Sequence, residues 1–555
     1  MKIYISNFRT KPMDINANLA QAMAQLECCI SSGCDVFVLP CGCLLGAKAG
    51  VLDNAHWLEK CYSEKLMQIV SKAQQHGIAV VTDSLEGGVF APYMAGNLPA
   101  QTSCFVAQSS GEFFENAAEI CKNSHFVFIS WMEKGVAGQK SVWIETLTAL
   151  SERYGTIFVL GTAGYGYSTH PDFYMPLIGV VADGKAEVYR NFDGITSAKQ
   201  IFDVDVPVLK SVEEDGTDYR SMASFPVCYS TNPLIPANVS EKEYCLDLFD
   251  MQCEALANRL ANIKCKSIVL SLSGGLDSTM ALLVAARAFD MLGLDKSGMH
   301  IVTQPGFGTS GTTKGLAYDL CEGLDLPLRQ IDITDTCRAA LLSIGHDGVT
   351  PDVTFENVQA RIRTVNALNL ANHTGAIMVG TGDLSEVALG FSTFGGDQIA
   401  SYNVNSCVSK TVMRTMLPYV VEMEMFSGVK QAVYNVLNIP VSPELVPHGG
   451  EILQKTEDIL APYKLIDFFI YCTVVTRIAP SQIVKKAHEV FEGEFTAEYI
   501  TEKLKMFYWK FGVGQFKRSC APECADLTHP SLVGREKAFP SDGSALLYIQ
   551  DMEQM

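Results

Sequence analysis

One short segment constrains the fold of this chain more than any other. It reads KSIVLSLSGGLDSTMALLVAARAF and joins an apolar, β-branched stretch, 267–272, to an Ala- and Leu-rich stretch, 279–289. Six residues, SGGLDS at 273–278, lie between them. β-Branched residues favour strands, and Ala and Leu favour helices. The segment therefore predicts a strand, a tight glycine turn and a helix, which is typical of a layered α/β fold.

The SGGLDS loop has the composition of an anion-binding turn. Gly274 and Gly275 let backbone N–H groups approach an anion closely, and the following helix adds the positive end of its dipole. Ser273 and Ser278 add hydroxyl donors. Asp277 fits beside a phosphate only if a divalent cation joins them. The loop has no lysine where the GxxxxGKS loop has one, so it predicts a different nucleotide site, the alternative being a plain glycine turn.

Length, charge and cysteine usage narrow the class of protein. A chain of 555 residues exceeds one ordinary core, which favours two large domains. The net charge of −19, with no long Lys/Arg run, argues against a nucleic-acid partner. The N-terminus lacks the apolar core of a signal peptide, and the apolar runs are too short for a membrane span. With 18 cysteines and no CxxC, we expect reduced thiols in a cytoplasmic protein without a membrane partner.

The distribution of turn-forming residues predicts the domain boundaries. Alternating β-rich and helical stretches fill the first ~220 residues, which indicates an α/β domain at 1–225. Charges and turn-formers dominate the stretch that follows, so we interpret 226–245 as a linker. A helix at 241–263 then leads into the second domain, 246–555, which again alternates strands and helices.

Ordered motifs in the second domain carry a resemblance to a known family. The loop at 273–278 resembles the pyrophosphate loop of the N-type ATP pyrophosphatases, which cleave ATP to AMP and pyrophosphate. Further blocks follow in order, VTQPGFGTSGTT at 302–313, ENVQARIRT at 356–364, GTGDLSEVALGFSTFGGDQ at 380–398, YNVNSCVSKT at 402–411 and QFKRSCAP at 515–522. Together they resemble the synthetase domain of the two-domain, glutamine-dependent NAD synthetases. The resemblance implies a doubly wound parallel-sheet domain and amidation of deamido-NAD through an adenylated carboxylate.

The resemblance also implies site residues. Mg²⁺ would be held by Asp277 and Glu386, with Asp397 as a candidate second contact, and Lys410 would stabilise the departing pyrophosphate. The residues expected to contact ATP form the loop and one later position: Ser271, Leu272, Ser273, Gly274, Gly275, Leu276, Asp277, Ser278 and Thr381. Those expected to contact deamido-NAD are Asn357, Glu386, Phe391, Ser392, Thr393, Phe394 and Lys517. Core packing explains the two phenylalanines equally well, and a solvated surface position is the alternative for Lys517.

The first domain resembles the nitrilase-type amidase domain that supplies ammonia in these synthetases, but it departs from that pattern. Such an amidase needs a glutamate base, a cysteine nucleophile and a lysine that stabilises the oxyanion. Cys41 follows Pro40 where the glutamate belongs, and no lysine lies between Lys72 and Lys122. Ala107, Gln108 and Ser109 occupy the stretch of the nucleophile. We therefore expect a degenerate α/β-sandwich amidase domain whose cysteines, Cys41, Cys43, Cys104 and Cys121, pack in the core.

These features predict an ATP- and Mg²⁺-dependent ligase that uses free ammonia, with a separate amidase as a possible ammonia source. Three alternatives stay open: a glutamine-dependent synthetase with an unrecognised triad that uses Cys104 or Cys121, an adenylating ligase for another carboxylate, and a non-enzymatic pseudoenzyme. The predicted partners are ATP, deamido-NAD and ammonia. A homo-oligomer is also expected, because closed symmetric assemblies are the commonest for soluble proteins.

Overall fold

The computed structural model describes most of the chain, namely residues 1–46, 55–86, 89–107, 110–131, 134–162, 166, 171–190, 200–212, 216–308, 311–439, 460–532, 539–540 and 543–553. The chain forms two compact units, one of residues 1–168 and 172–226, the other of 169–171 and 227–555. Among the described helices, none combines the length and apolarity needed to cross a membrane.

The stretch 226–245 was predicted to be a linker, but nearly all of it belongs to the second unit. From Val227 onward it belongs to the second unit. Leu234 is buried there, and the backbone N–H of Cys228 donates to the hydroxyl of Tyr471 at 3.0 Å. A helix begins within the stretch at Glu241, after Ser240 has capped it. Turn-forming residues thus mark an irregular segment that still packs on its own unit.

The first unit contains ten strands and five helices among its described residues. In chain order they are β1 (Lys2–Ile5), α1 (Ile15–Ser31), β2 (Val36–Val38), α2 (His56–Gln75), β3 (Ala79–Glu86), β4 (Val89–Ala95), β5 (Thr102–Ala107), α3 (Ser110–Asn123), β6 (Phe126–Trp131), α4 (Gln139–Tyr154), β7 (Ile157–Gly161), β8 (Leu177–Ala182), β9 (Lys185–Arg190), β10 (Ile201–Asp203) and α5 (Tyr219–Met222).

Two five-stranded sheets build this unit, in the orders β10-β1-β2-β3-β4 and β5-β6-β7-β8-β9. Apolar residues of both sheets, such as Ile5 and Val38 from one and Phe128 and Val159 from the other, share one buried cluster. The opposite face of the first sheet packs on α1 and α2, and α3 and α4 contact the second sheet. The predicted α/β sandwich is therefore confirmed.

The second unit contains five strands and thirteen α-helices among its described residues. They are α6 (Glu241–Asn262), β11 (Ile268–Ser271), α7 (Leu276–Leu292), β12 (Met299–Thr303), α8 (Gly311–Gly323), β13 (Leu328–Gln330), α9 (Thr334–Ser343), α10 (Val353–Thr374), β14 (Ile377–Gly380), α11 (Leu384–Leu389), β15 (Tyr402–Asn403), α12 (Lys410–Val420), α13 (Lys430–Leu437), α14 (Tyr463–Tyr471), α15 (Pro480–Val490), α16 (Ala497–Val513), α17 (Gln515–Ser519) and α18 (Leu546–Glu553).

The sheet of the second unit is parallel throughout, in the order β13-β12-β11-β14-β15. The chain moves from β11 towards β12 and β13, then returns to the other side of β11 for β14 and β15. Such a reversal opens a crevice at the carboxyl ends of the two central strands, where doubly wound folds bind ligands. The predicted doubly wound fold is confirmed, and the site is expected after β11 and β14.

Candidate active site

The SGGLDS loop lies at the carboxyl end of β11 and leads into α7, as its sequence predicts. Gly274 has a φ of +85°, a backbone conformation that favours glycine, and Gly275 caps the helix without a side chain. The loop serines bond to each other: the Oγ atoms of Ser273 and Ser278 are 3.1 Å apart, and the N–H of Gly275 donates to Ser273 Oγ at 3.2 Å. These bonds fix the conformation of the loop at the start of a 17-residue helix, whose N-terminus favours anions.

The loop after β14 forms the second wall of the crevice. Asp383 caps α11, since its Oδ1 accepts the N–H of Glu386 at 3.0 Å, and this fixes the first turn that carries Glu386. The buried side chain of Asn405 ties the two walls together. Its amide donates to the carbonyl of Asp277 at 3.0 Å and to that of Thr381 at 3.1 Å. The loops after β11 and β14 are therefore held at a fixed separation.

Three carboxylates meet around one ammonium at this point. Asp277, Asp383 and Glu386 each offer a carboxylate oxygen, and these three oxygens lie within 4.8 Å of one another. Lys410 Nζ lies 2.5 Å from Asp277 Oδ2, 2.7 Å from Asp383 Oδ2 and 3.0 Å from Glu386 Oε1. The lysine side chain is 1% exposed, so it neutralises the carboxylates from inside the fold. The sequence predictions for Asp277, Glu386 and Lys410 thus converge on one cluster.

Burial and like charge dominate the ionisation of this cluster. Burial, together with the charge of Asp383, raises the pKa of Asp277 to about 7, although Lys410 opposes the shift. Burial also raises the pKa of Glu386. The surrounding carboxylates outweigh burial at Lys410 and hold the pKa of its ammonium above the usual range. One positive charge among three acids leaves this spot attractive to a further cation.

A cleft of about 520 Å³ extends from the cluster, and five of the predicted residues line it. They are Thr381, Glu386, Ser392, Asp397 and Lys517. Gln398, Arg518 and Pro522 line it too, which places the C-terminal QFKRSCAP block against the strand loops.

The far end of the cleft is organised around Lys517. Its Nζ donates to the carbonyls of Gly390 at 2.7 Å and Ser392 at 2.5 Å, and burial lowers the pKa of the ammonium. Asp397 Oδ1 accepts the N–H of Thr393 at 2.7 Å, and the Thr393 hydroxyl donates to Asn357 Oδ1 at 2.8 Å. Lys517 is thus a half-buried cation beside the cleft rather than a solvated surface lysine.

The two phenylalanines of the FSTF run lie differently. The ring of Phe391 lies 5.9 Å from the ammonium of Lys510. Phe394 is 48% exposed, and its ring centroid lies 5.4 Å from that of Phe516. An exposed pair of rings is not core packing. Phe394 and Phe516 therefore offer a flat apolar surface next to Lys517, whose Nζ lies 5.9 Å from the centroid of the Phe516 ring.

The stretch that carries the acidic cluster matches a known family model. Residues 248–505 match the family model described as NAD synthase. Over these residues the second unit is similar to NAD synthases. The chain is also 35% identical over 349 residues to a glutamine-dependent NAD(+) synthetase of Mycobacterium leprae, covering 58% of this chain and 51% of that protein. A protein of the same name from Xylella fastidiosa is 27% identical over 275 residues. The chain therefore spans about half the length of the curated relatives it matches.

Solved structures extend the likeness in fold to the whole chain. A glutamine-dependent NAD(+) synthetase from Cytophaga hutchinsonii covers all of this chain and all of its own, with a TM-score of 0.74 and 16% identity. A glutamine-dependent NAD+ synthetase from Acinetobacter baumannii, solved with ADP, has a TM-score of 0.61. The predicted resemblance to the two-domain, glutamine-dependent NAD synthetases is confirmed at the level of fold.

The acidic cluster of the second unit differs from the predicted metal-binding set in one member. The third carboxylate beside Asp277 and Glu386 is Asp383, not Asp397. Asp397 lines the cleft instead, where its Oδ1 accepts the N–H of Thr393. Asp383 was not predicted. The DLSE run nevertheless contains a signal for it, because an Asp three residues before a Glu is a helix-capping pattern.

In the first unit, the position predicted for the general base of an amidase is buried. Cys41 is fully buried, and burial together with the charge of Asp83 raises the pKa of its thiol. Asp83 is itself buried on β3. Its Oδ2 accepts the hydroxyl of Tyr62 at 2.5 Å, and its Oδ1 accepts the N–H of Gly42 at 3.0 Å. A neutral, enclosed thiol at position 41 is a poor proton acceptor.

The two cysteines considered as alternative nucleophiles, Cys104 and Cys121, are poor nucleophiles in their present surroundings. Burial raises the pKa of Cys104 and of Cys121 to about 12 in each case. Cys43 and Cys121 are buried as predicted, whereas Cys104 on β5 is partly exposed. Ala107 ends β5. Gln108 and Ser109, at the predicted nucleophile position, lie outside the described residues.

Asp83 makes the stability of this unit depend on pH. Burial raises its pKa to about 7, against about 3.9 for an unfolded aspartate. A raised pKa gives a stabilising contribution that is complete below pH ~4 and is lost as the pH rises through ~7. Wild type therefore loses stability between pH 5 and pH 8, whereas an asparagine at this position does not titrate. We expect the melting temperature of Asp83→Asn, relative to that of wild type at the same pH, to be several degrees higher at pH 8 than at pH 5, as measured by circular dichroism.

The matched control is Asp218→Asn, which changes an exposed aspartate of the same unit whose pKa is lowered by its bonds to Ser221. This control should keep the pH dependence of the wild-type melting temperature between pH 5 and 8. An Asp83→Asn variant with that same dependence would show that the buried carboxylate does not titrate in this range.

Proposed function

We propose that this chain converts deamido-NAD to NAD, consuming ATP and releasing AMP and pyrophosphate, with ammonia as the nitrogen donor. The observation that carries the proposal is the cluster of Asp277, Asp383, Glu386 and Lys410 at the carboxyl ends of β11 and β14, inside an NAD synthase domain. A cluster of acids next to an anion-binding loop is suited to a triphosphate with its cation.

The donor set of the cluster fits Mg²⁺. Three carboxylates surround a single ammonium, and Asp277 Oδ1 is buried without a hydrogen-bond partner among the described residues. Oxygen ligands are the ones that Mg²⁺ prefers, and a buried unpaired carboxylate oxygen is costly unless a cation binds it. Asp277, Glu386 and Asp383 would hold the ion, which supplies positive charge against the triphosphate when bound.

The chain's own groups would bind and orient ATP. The N–H groups at the start of α7 and the hydroxyls of Ser273 and Ser278 belong to the loop after β11, where the dipole of α7 favours phosphate. Gly274 keeps the turn free of a side chain. Lys410 provides the charge on the opposite wall, and its three carboxylate partners keep it protonated. These donors are fixed before the substrate arrives, which is how electrostatic stabilisation is effective.

The far end of the cleft supports binding of deamido-NAD. Lys517 is half-buried, and within the described part of the chain its Nζ donates to the carbonyls of Gly390 and Ser392 and forms no ion pair with a carboxylate, so it can take an anionic group of the dinucleotide. The exposed rings of Phe394 and Phe516 suit a flat aromatic ring. Together with Glu386, these groups would hold the nicotinate carboxylate near the cluster for adenylation.

The nitrogen donor depends on whether the first unit has the residues of a working amidase. Ammonia is supported by the buried, high-pKa thiol of Cys41 at the base position and by the absence of Lys or Arg between Lys72 and Lys122. The names of the relatives favour the alternative, because the proteins from Mycobacterium leprae and Cytophaga hutchinsonii are both called glutamine-dependent. This second candidate requires a base, a nucleophile and an oxyanion donor elsewhere in the first unit.

Lys410→Ala is expected to lower kcat by about 100- to 1,000-fold, with a smaller change in the KM for deamido-NAD. A donor that acts on charge developing at the leaving pyrophosphate contributes roughly 2.7–4 kcal/mol to the transition state. Steady-state kinetics at saturating Mg²⁺ measure both constants. Lys410→Arg is the matched variant, because it keeps the charge but not the position. An unchanged kcat with a raised KM would instead assign Lys410 to substrate binding.

The direct test of the proposal is the full-length chain with deamido-NAD, ATP and Mg²⁺, supplied with ammonium or glutamine, and NAD measured by a coupled dehydrogenase. NAD formation supports the reaction, and the donor that sustains it decides between the two candidates. A chain that releases pyrophosphate with another carboxylate but not with deamido-NAD would overturn the proposed substrate.

A further inference from the structure

A buried carboxylate outside the cluster joins the two helices that carry Glu386 and Lys410. Asp467 lies on α14 and is 1% exposed. Its Oδ1 accepts the hydroxyl of Ser385 at 2.6 Å. Its Oδ2 accepts both the N–H of Thr411 at 3.0 Å and the hydroxyl of Thr411 at 2.5 Å. The two oxygens of this carboxylate thus accept hydrogen bonds from two different helices, α11 and α12.

Each of its donors is the chain neighbour of a cluster residue. Ser385 precedes Glu386 in the first turn of α11, and Thr411 follows Lys410 in the first turn of α12. The link is closed by a third bond, because the backbone N–H of Lys410 donates to Ser385 Oγ at 3.0 Å. Asp467, Ser385 and Thr411 therefore set the separation between the backbones of Glu386 and Lys410.

This arrangement is costly for the fold alone. Burial raises the pKa of Asp467 to about 6, although its bonds to Ser385 and Thr411 oppose the shift. Its neighbours on α14, Ile466 and Phe468, are fully buried and apolar, so an apolar residue at 467 would suit the core without desolvating a charge. A carboxylate at this place provides what an apolar residue cannot, two acceptors that fix two backbones.

We propose that Asp467 is a positioning residue that holds Glu386 and Lys410 at the separation the cluster requires. The proposal rests on the proposed function for its kinetic part. Asp467 itself acts only through Ser385 and Thr411. Groups that orient the ligands of a metal commonly change affinity or activity by about 10- to 100-fold when they are replaced.

The kinetic test compares Asp467→Asn and Asp467→Ala with wild type. Alanine removes both acceptors, so kcat should fall about 10- to 100-fold, with little change in the KM for deamido-NAD. Asparagine keeps the shape and one acceptor, so it should restore part of kcat. Asp352→Asn is the matched control, because Asp352 caps α10 through the N–H of Phe355 but touches no cluster residue. A control that loses kcat as much as Asp467→Asn would overturn the proposal.

A second measurement needs no turnover. Mn²⁺ titrated into the full-length chain with a non-hydrolysable ATP analogue, and followed by electron paramagnetic resonance, should bind about tenfold more weakly to Asp467→Asn than to wild type. Thermal melting of the same samples shows whether the variant is folded. Equal Mn²⁺ affinity with a lowered melting temperature would make Asp467 purely structural. If wild type binds Mn²⁺ yet forms no NAD, the proposed function is refuted, and the tenfold weaker binding by Asp467→Asn still supports the positioning role of Asp467.

Discussion

Asp277→Ala and Glu386→Ala are each expected to abolish NAD formation, lowering kcat by about 1,000-fold or more, while the chain remains folded. Both carboxylates lie within reach of one cation beside the SGGLDS loop. A bound metal ion supplies several kcal/mol of charge stabilisation to phosphoryl and adenylyl chemistry, and ~4 kcal/mol corresponds to about three orders of magnitude in rate.

The fold should survive because the cluster carries more negative than positive charge. When one acid is removed, Lys410 keeps two carboxylate partners, and like-charge repulsion among the acids decreases. Melting temperatures are therefore expected within a few degrees of wild type. Far-ultraviolet circular dichroism on the same preparations confirms that the loss of kcat is not unfolding.

Asp290→Ala is the matched control for Asp277→Ala. Asp290 lies on the same helix, α7, and pairs with Arg287 at its exposed C-terminal end, far from the glycine loop. This variant should keep wild-type kcat and the wild-type requirement for Mg²⁺. Near wild-type turnover of Asp277→Ala or Glu386→Ala at saturating Mg²⁺ would contradict the assignment of these acids to a metal.

The parts of the site that depend on neighbouring residues could be predicted from the sequence. The order strand, glycine loop and helix around 273–278 follows from local propensity and from the anion chemistry of the turn. Glu386 and Lys410 were predicted through motif resemblance, and they do meet Asp277. Their distances to Asp277 could not be predicted, because both residues lie more than one hundred positions from Asp277 and the distances depend on how the strands and helices pack.

The residues that were missed act through long-range contacts. Asp467 accepts hydrogen bonds from Ser385 and Thr411, which lie 82 and 56 positions away in the sequence, and no pattern within α14 indicates these bonds. Asn405 bonds to the carbonyl of Asp277 across 128 positions. Asp383 and Asp397 are both acids of the same motif. Asp383 caps α11 and belongs to the cluster, whereas Asp397 accepts the N–H of Thr393 and lines the cleft.

Ammonium is expected to support NAD synthesis, and glutamine is not. An amidase needs its base, nucleophile and oxyanion donor together, because they act as a unit and the loss of one member removes most of the acceleration. Here the base position is Cys41, whose buried thiol has a raised pKa, and Cys104 and Cys121 also hold their protons at neutral pH. Ammonia attacking an adenylate in the cleft beside Glu386 requires none of these groups.

The nitrogen in the product distinguishes the two donors. Glutamine labelled with ¹⁵N in its amide, or ¹⁵N-ammonium, is supplied to a glutaminase-free preparation, and the carboxamide of NAD is examined by mass spectrometry. Label should enter from ammonium alone. At subsaturating ammonium the rate should also rise with pH, because only the free base is a nucleophile and its fraction increases. Cys28→Ser, which changes an exposed cysteine of the same unit, should behave as wild type in both arms.

The opposite result would be equally informative, because it is the one that the names of the relatives favour. Stoichiometric transfer of label from glutamine, lost in Cys104→Ser or Cys121→Ser but kept in Cys28→Ser, would show that the first unit contains a working amidase.

The thiol of such an amidase would have to ionise when substrate binds, because burial holds the pKa of both thiols, Cys104 and Cys121, at about 12 in the free chain. The base would have to be a group other than Cys41, and Asp83, whose pKa is about 7, is the buried carboxylate next to that position. Asp83→Asn would accordingly abolish label transfer from glutamine while leaving synthesis from ammonium unchanged.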